Sequence, residues 1–391
     1  MFGIYIHIPF CSHRCPFCDF TLVAGAQQSL IDDYVKALCK EVELVDPKEW
    51  PNTLTSIYFG GGTPSMISTQ QLGKIFKAVS SRFAINDQTE ITMEANPEDV
   101  NEIKSGEWKS IGIKRISLGV QSMNDQELKR LGRHHAYKQV VEAFEILRRK
   151  SLSNISVDLM FGLENQTLNG WKQTLQKTFD LSPKHISTYN LTIEKNTSYE
   201  KELSLKTLRL PSDDLQADMM IATKEILDQH GYNPYEISNA SLPNFESRHN
   251  YLYWTGKPYL GLGVSSHSFL PNRNSYERRW NTKNIPQYIR SIEQKNRPIE
   301  SRENLSMETH VEERLMTGLR LKEGIDLQQL TTEGLILSKS IMEQIQLLTS
   351  TQHLVRTGHR LFIPQEKMPI TSEILVRLFS PLSRVDFLNK V

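Results

Sequence analysis

The 391-residue sequence has only 4 cysteines, no long apolar run and no surplus of either charge, and each shortage closes off a class of function. Lys and Arg total 46 against 45 Asp and Glu, a formal net charge of +1, so no overall field draws the chain to nucleic acid or anionic lipid. The apolar stretches are strand-sized and fall short of the roughly 20 residues of a membrane span. Pro, Gly and Ser are scattered, which leaves no low-complexity linker. The first apolar run, Ile4 to Phe10, carries no basic leader or small-residue cleavage site and flows into the cysteines. The expectation is a cytoplasmic protein.

Three of the cysteines, Cys11, Cys15 and Cys18, fall within one short loop. Thiols that close would strain a mutual disulfide, whereas a tight CxxxCxxC loop suits a metal or cluster. Three thiolates hold three irons of a 4Fe-4S cubane and leave the fourth open. A zinc site completed by His7, His13 or Cys39 is the alternative, although no second CxxC unit is present. Cys39 shares a helical stripe with Ile31, Tyr34, Val35, Leu38 and Val42, which points to a small buried hydrophobe.

From the start to about residue 231, short runs rich in Ile, Val and Tyr alternate with amphipathic stretches, the signature of βα units. Strands are expected at Ile4 to Pro9, Thr55 to Phe59, Glu90 to Ala95, Arg115 to Val120, Ile155 to Phe161 and His185 to Leu191. Helices are expected at Leu30 to Val45, Thr69 to Arg82, Asp99 to Ser110, Tyr137 to Lys150, Leu168 to Phe179 and Asp213 to Gln229, the last with Ser212 as N-cap and Gly231 as stop. Such units build a doubly wound sheet or a barrel, and both place ligands at the carboxyl ends of the strands. The chemistry-bearing residues gather there. The Cys loop follows strand one, Gly60 to Pro64 follows strand two, Glu94 and Asn96 end strand three, Gln121 ends strand four, and Asp158 lies in strand five. Residues 232–300 form a looser aromatic-rich connecting segment, and 301–391 a smaller α-rich domain with a short hairpin near Leu361.

The run from Tyr5 through Cys11 to Phe20 resembles radical S-adenosylmethionine proteins, in the group containing oxygen-independent coproporphyrinogen III oxidase. Gly60-Gly61-Gly62-Thr63-Pro64, Glu94-Ala95-Asn96-Pro97, Gly119-Val120-Gln121-Ser122, Gly132-Arg133-His134 and Asp158 to Leu163 extend the resemblance in order. It implies an α/β fold, an incomplete (β/α)6 radical-SAM barrel over 1–231 with a winged-helix-like C-terminal domain. It also implies S-adenosylmethionine bound at the open iron. Gly61, Gly62 and Thr63 are then expected against the amino acid end of that cofactor, Arg133 at its carboxylate, and Glu94, Gln121 and Asp158 at its hydroxyl or amino groups. Tyr5 and Phe17 are expected to line the cluster and cofactor.

One departure separates two functions. The related oxidases carry a fourth Cys two positions after the third, and Phe20 stands there in this chain. Cys-Asp-Phe at that place resembles HemW-type haem chaperones, as does His249-Asn250-Tyr251-Leu252-Tyr253-Trp254, which fits their HNxxYW motif. The resemblance implies that haem is bound, with His249 as axial ligand beside aromatic faces. His267 is a competing ligand, and His7 is not nominated. Implied partners are haem and haem-acceptor proteins, including acceptors at the membrane surface, with a homodimer left open. The alternative is an enzyme that forms a 5'-deoxyadenosyl radical and oxidises a porphyrinogen.

Overall fold

The computed structural model describes residues 1–272 and 275–379. Six parallel strands lie side by side in chain order: β1 (Phe2–Ile8), β2 (Leu54–Gly61), β3 (Glu90–Ala95), β4 (Arg115–Gln121), β5 (Ile155–Phe161) and β6 (His185–Asn190). Their side chains alternate. Ile4, Ile6, Ile57, Phe59, Ile91, Met93, Ile116 and Leu118 pack into the principal hydrophobic core, while Tyr58, Glu94, Arg115, Ser117, Asp158 and Ser187 line a cavity on the other face. This is the incomplete βα barrel that the resemblance implied, one of the two architectures the pattern allowed.

The helices between the strands carry the signals that start and stop them. Thr69–Arg82 begins with a capping box between Ser68 and Gln71, and Asp213–Gln229 begins where the Ser212 hydroxyl accepts from Leu215 N. Gly231, at φ +76°, ends the latter. The helix expected from Asp99 starts later. A 3-10 turn over Pro97–Asp99 comes first, and Asn101 then caps Glu102–Ile111 by accepting from Ile103 N and Lys104 N.

Residues beyond 231 differ from the connecting segment expected of them, because they extend the same sheet at both edges. On the β6 side, β8 (Asn239–Ser241) pairs antiparallel with β6 and with β7 (Asn233–Pro234). On the other side, β9 (Tyr259–Leu262) runs parallel to β1, and β10 (His267–Asn272), β11 (Ser275–Asn281) and β12 (Ile299–Leu305) continue antiparallel outward. The result is a 12-stranded sheet. Local pattern conceals this because β9 pairs with the opposite end of the chain. A separate core of Val311, Leu315, Leu348, Leu361 and Ile374 follows, built from helices Met307–Gly318, Lys339–Ser350 and Thr371–Phe379 on a three-stranded sheet.

A buried carboxyl clips the added hairpin to the first helix, Gln28–Leu44. Glu41 is 0 % exposed and accepts from Gly263 N (2.8 Å), Asn281 Nδ2 (2.6 Å) and Tyr288 OH (2.6 Å). Burial pushes its pKa up. Beside it, Tyr34 OH donates to His7 O (2.8 Å) and accepts from Val264 N (3.1 Å). Glu41→Ala strands three buried donors and is expected to lower unfolding stability by on the order of 3 kcal/mol. Urea unfolding with an unchanged midpoint would show the clip to be dispensable.

Candidate functional site

Directly after β1, Phe10–Cys11 pairs with Val23–Ala24, so the loop between them closes on itself. Cys18 N donates to Cys15 O (3.1 Å), making the turn that brings those two residues together. Arg14 holds the loop from outside, donating to the carbonyls of Cys18, Phe20 and Leu22. Sequence reasoning passed over Arg14, since nothing about a lone Arg between cysteines marks it as a clamp. The loop is also tied across the barrel mouth. His13 Nε2 lies 2.6 Å from Gly132 O, and its ring stacks on His134 at 3.6 Å. Gly132 sits at φ +69°, where a Cβ would approach Pro16 at 3.0 Å, which explains glycine in that motif.

The three thiols line one cavity of about 370 Å³, together with Phe17, Gly61, Gly62, Thr63, Glu94, Gln121, Arg133 and Asp158. Cys11 Sγ is 3.2 Å from Thr63 Oγ1, and Arg133 Nη1 reaches Cys15 Sγ at 3.7 Å. Burial raises the Cys11 thiol to about 11 and lifts Cys18 as well, so loading a metal there must displace protons. Among the described residues no three His, Cys, Asp or Glu side chains close on a single ion. Of the candidate fourth donors to zinc, only His13 lies at the thiols, with Nε2 3.8 Å from Cys15 Sγ, and its two nitrogens are engaged elsewhere. His7 is held by Tyr5 OH and Thr21 O, His13 by Gly132 O and Ser12 Oγ, and Cys39 packs against the core away from the cavity.

Around the thiols the expected cofactor residues converge, with two differences. Glu94 accepts from Tyr58 OH (2.9 Å) and Gly61 N (3.1 Å), and burial, with Asp158 nearby, lifts its pKa to about 7. Both Asp158 oxygens accept from Ser117 Oγ. Arg133 Nη2 donates to Asn96 Oδ1 (2.6 Å) and Gly119 O (2.9 Å), which aims the guanidinium along the mouth. Gln121 has φ +68°, a left-handed backbone at the end of β4 that turns the residue into the cavity wall. The first difference concerns Gly62, whose smallness serves the fold. A Cβ there would meet Phe10 O at 2.7 Å, and Gly62 N donates to Ile8 O. The second is Tyr5, which stacks behind Tyr58 at 6.1 Å and is not among the cavity-lining residues.

His249 also departs from expectation. It lies on the short helix Arg248–Trp254, is 1 % exposed, and has both nitrogens engaged, Nδ1 by Ser56 Oγ (2.8 Å) and Nε2 by Tyr253 OH (2.9 Å). Its ring stacks on Tyr58 at 5.1 Å, and burial lowers its pKa to about 3, keeping the imidazole neutral. As placed, it offers haem no free nitrogen and no open face. Its neighbour Asn250 does reach the cavity. His267 is exposed and stacks on Trp280 at 5.7 Å.

Residues 5–178 match the radical SAM superfamily, and residues 305–368 match the HemN C-terminal domain. The chain is 37% identical to the heme chaperone HemW of Lactococcus lactis over 82% of each chain. It is 33% identical to that of Synechocystis over 97% of this chain and 96% of the other. In structure it is similar to coproporphyrinogen III oxidase (HemN) from Escherichia coli, a radical SAM enzyme, with a TM-score of 0.82 at 20% identity, covering 97% of this chain and 90% of that one.

The geometry separates Cys39 from the other three cysteines. After anaerobic reconstitution, Cys39→Ala is expected to hold about four irons per chain, and Cys15→Ala to lose most of them. Equal loss in both variants would refute the three-thiolate site.

Proposed function

The chain belongs to the HemW family within the radical SAM superfamily, and from that premise we propose that it binds haem and delivers it to acceptor proteins. Cys11, Cys15 and Cys18 would hold a 4Fe-4S cluster, which would supply the metal site for S-adenosylmethionine. Arg133 pairs with the cofactor carboxylate, Glu94, Gln121 and Asp158 take its hydroxyl and amino hydrogens, and Phe17 walls the cavity. Thr63 holds Cys11 in place through its hydroxyl.

Phe20 carries the choice of function. It is 59 % exposed at the rim of the cavity, where the resembling oxidases have a further Cys. A bare aromatic ring there suits contact with an apolar macrocycle or an acceptor, and supplies no thiol for redox work. The fold shared with the oxidase does not by itself transfer its activity. Acceptors at the membrane surface and residence in the cytoplasm accompany this reading, which leaves a homodimer open. No helix among the described residues is long and apolar enough to cross a membrane.

Haem ligation by His249 requires the helix Arg248–Trp254 to swing from the barrel end and give up the two bonds of the ring together with those from Arg248 N and His249 N to Glu90, each worth about 1 kcal/mol net. The reconstituted protein is expected to bind haem but not to convert coproporphyrinogen III to protoporphyrinogen IX. His249→Ala should weaken haem binding and shift its Soret band, while Tyr253→Phe, which releases Nε2, should tighten binding about fivefold. Several turnovers of porphyrinogen per chain would restore the oxidase, and haem loss in His267→Ala alone would move the ligand to His267.

Glu94 sets a pH dependence. Only its ionised form accepts two donors, so cofactor affinity should fall about tenfold from pH 8 to pH 6, as protonation near pH 7 removes the acceptor. Glu94→Gln should flatten this profile. A level wild-type profile in cofactor titrations of the reduced cluster would remove Glu94 from the site.

A further inference from the structure

A second cavity, of about 710 Å³, lies behind a strand that walls the first. Ser187 and Tyr189 of β6 line the cavity of the thiols, and the alternate residues Thr188 and Asn190 line this one. Its other sides come from the helix Asp213–Gln229, from the chain around β7 and β8, and from the 3-10 turn Gln365–Ile370 that follows the small domain's sheet. Backbone contacts join the two domains at its edge. Glu236 bridges to Leu321, and Lys322 N donates to Tyr235 O (3.0 Å). Crevices between domains are where small ligands most often sit.

Met220, Ile221, Leu227, Phe362 and Met368 give the cavity an apolar wall, in which Ile221 is left 49 % exposed. Two buried polar side chains interrupt that wall. Glu236 is 3 % exposed and Asn239 is 5 % exposed, and Oε1 of the first and Oδ1 of the second have no hydrogen-bond partner. The backbone N–H groups of Ile237, Ser238 and Asn239 and the Asn239 side chain lie against the Glu236 carboxyl, and they oppose the rise in pKa that burial causes. No lysine or arginine is among the groups that offset its burial. Lys224 and Lys322 also line the cavity, but Glu225, Asp228 and Glu366 join Glu236 there, so acids outnumber bases.

We infer that this cavity binds a small amphipathic cation, an apolar ring system carrying a primary ammonium, with Glu236 and Asn239 receiving its N–H groups. An ammonium carries three donors and no acceptor, which suits two leftover acceptors set in an apolar wall. The pairing also gives the buried carboxylate the counter-charge it lacks, and hydrogen bonds between ionised partners are the strong ones. A ligand carboxylate would meet like charge at Glu236, so this site is separate from any that takes haem propionates.

The test uses the full cluster-reconstituted chain, with iron content and melting temperature as checks on folding. Three probes share one fluorescent dansyl body and are titrated by anisotropy: dansylcadaverine with a terminal ammonium, N-pentyl dansylamide with none, and dansyl-ε-aminocaproic acid with a carboxylate. Wild type is expected to bind the ammonium about tenfold more tightly than the neutral probe, and the carboxylate more weakly than either. Glu236→Gln should bring the ammonium preference below about twofold with the neutral probe unaffected, and Met220→Trp, which fills the cavity, should weaken both by about fivefold or more. Saturating S-adenosylmethionine should displace neither probe. Equal binding of ammonium and neutral probes by wild type overturns the inference, as does an ammonium preference that survives in Glu236→Gln. Displacement by S-adenosylmethionine, or binding indifferent to Met220→Trp, places the probe elsewhere and overturns it too. Should Glu236→Gln fail the folding checks, the wild-type preference and Met220→Trp decide.

Discussion

The cysteine loop can hold a cluster only because its root is hydrogen-bonded to the neighbouring strand end. Gly62 N donates to Ile8 O (2.9 Å) and Thr63 N to Phe10 O (2.8 Å), so the Gly-Gly-Thr-Pro turn grips the backbone just before Cys11. A side chain at Gly62 would collide with that backbone. From this grip the rest follows. Thr63 meets Cys11, the loop folds back onto Val23–Ala24, and His13 reaches the Gly132 carbonyl across the mouth, bringing Arg133 to Cys15. A motif that looks made for a ligand is first a device for packing two strand ends.

The barrel interior is unusually polar for a core, and its charges are managed by burial and paired hydroxyls. Ser56, Ser117 and Ser156 each bond a titratable partner, His249, Asp158 and His185 in turn. The imidazoles stay neutral because desolvation penalises their charged form. Glu94 and Asp158 share this wall with Arg115, whose charge offsets part of what burial costs the two acids. Such a wall also explains why a histidine in an aromatic motif is shut in. Within this arrangement His249 closes the barrel end as a packed residue bonded at both ring nitrogens.

Beyond the barrel, the chain's later segments are held by contacts that bridge large sequence distances. Glu41 on the first helix gathers donors from Gly263, Asn281 and Tyr288, and Thr21 of the cysteine loop bonds Ser265. The C-terminal core grips the helix that bears His249. Glu333 bridges Lys257 and Arg314, and this pairing with cations holds its pKa down at about 2 against the opposing effect of burial. The segment that follows that helix is thereby tied to the small domain.

Local pattern was enough for the six βα units, the caps at Ser68 and Ser212, and the loop of Cys11, Cys15 and Cys18, because period, capping and ligand spacing are short-range properties. It was also enough to bring Thr63, Glu94, Gln121 and Asp158 to one end of the sheet, since parallel βα units place strand ends together, whereas Arg133 was legible only through the family resemblance. The pairing of Tyr259–Leu262 with β1 was not legible, because register between segments some 250 residues apart is set by tertiary packing. Nor could spacing reveal that Tyr5 stands behind Tyr58 or that His249 has both nitrogens engaged. The sequence by itself determined which residues share a face of the sheet. Only the tertiary structure decided which of them are satisfied and which still face the cavity, because that depends on the groups brought against each one from other elements.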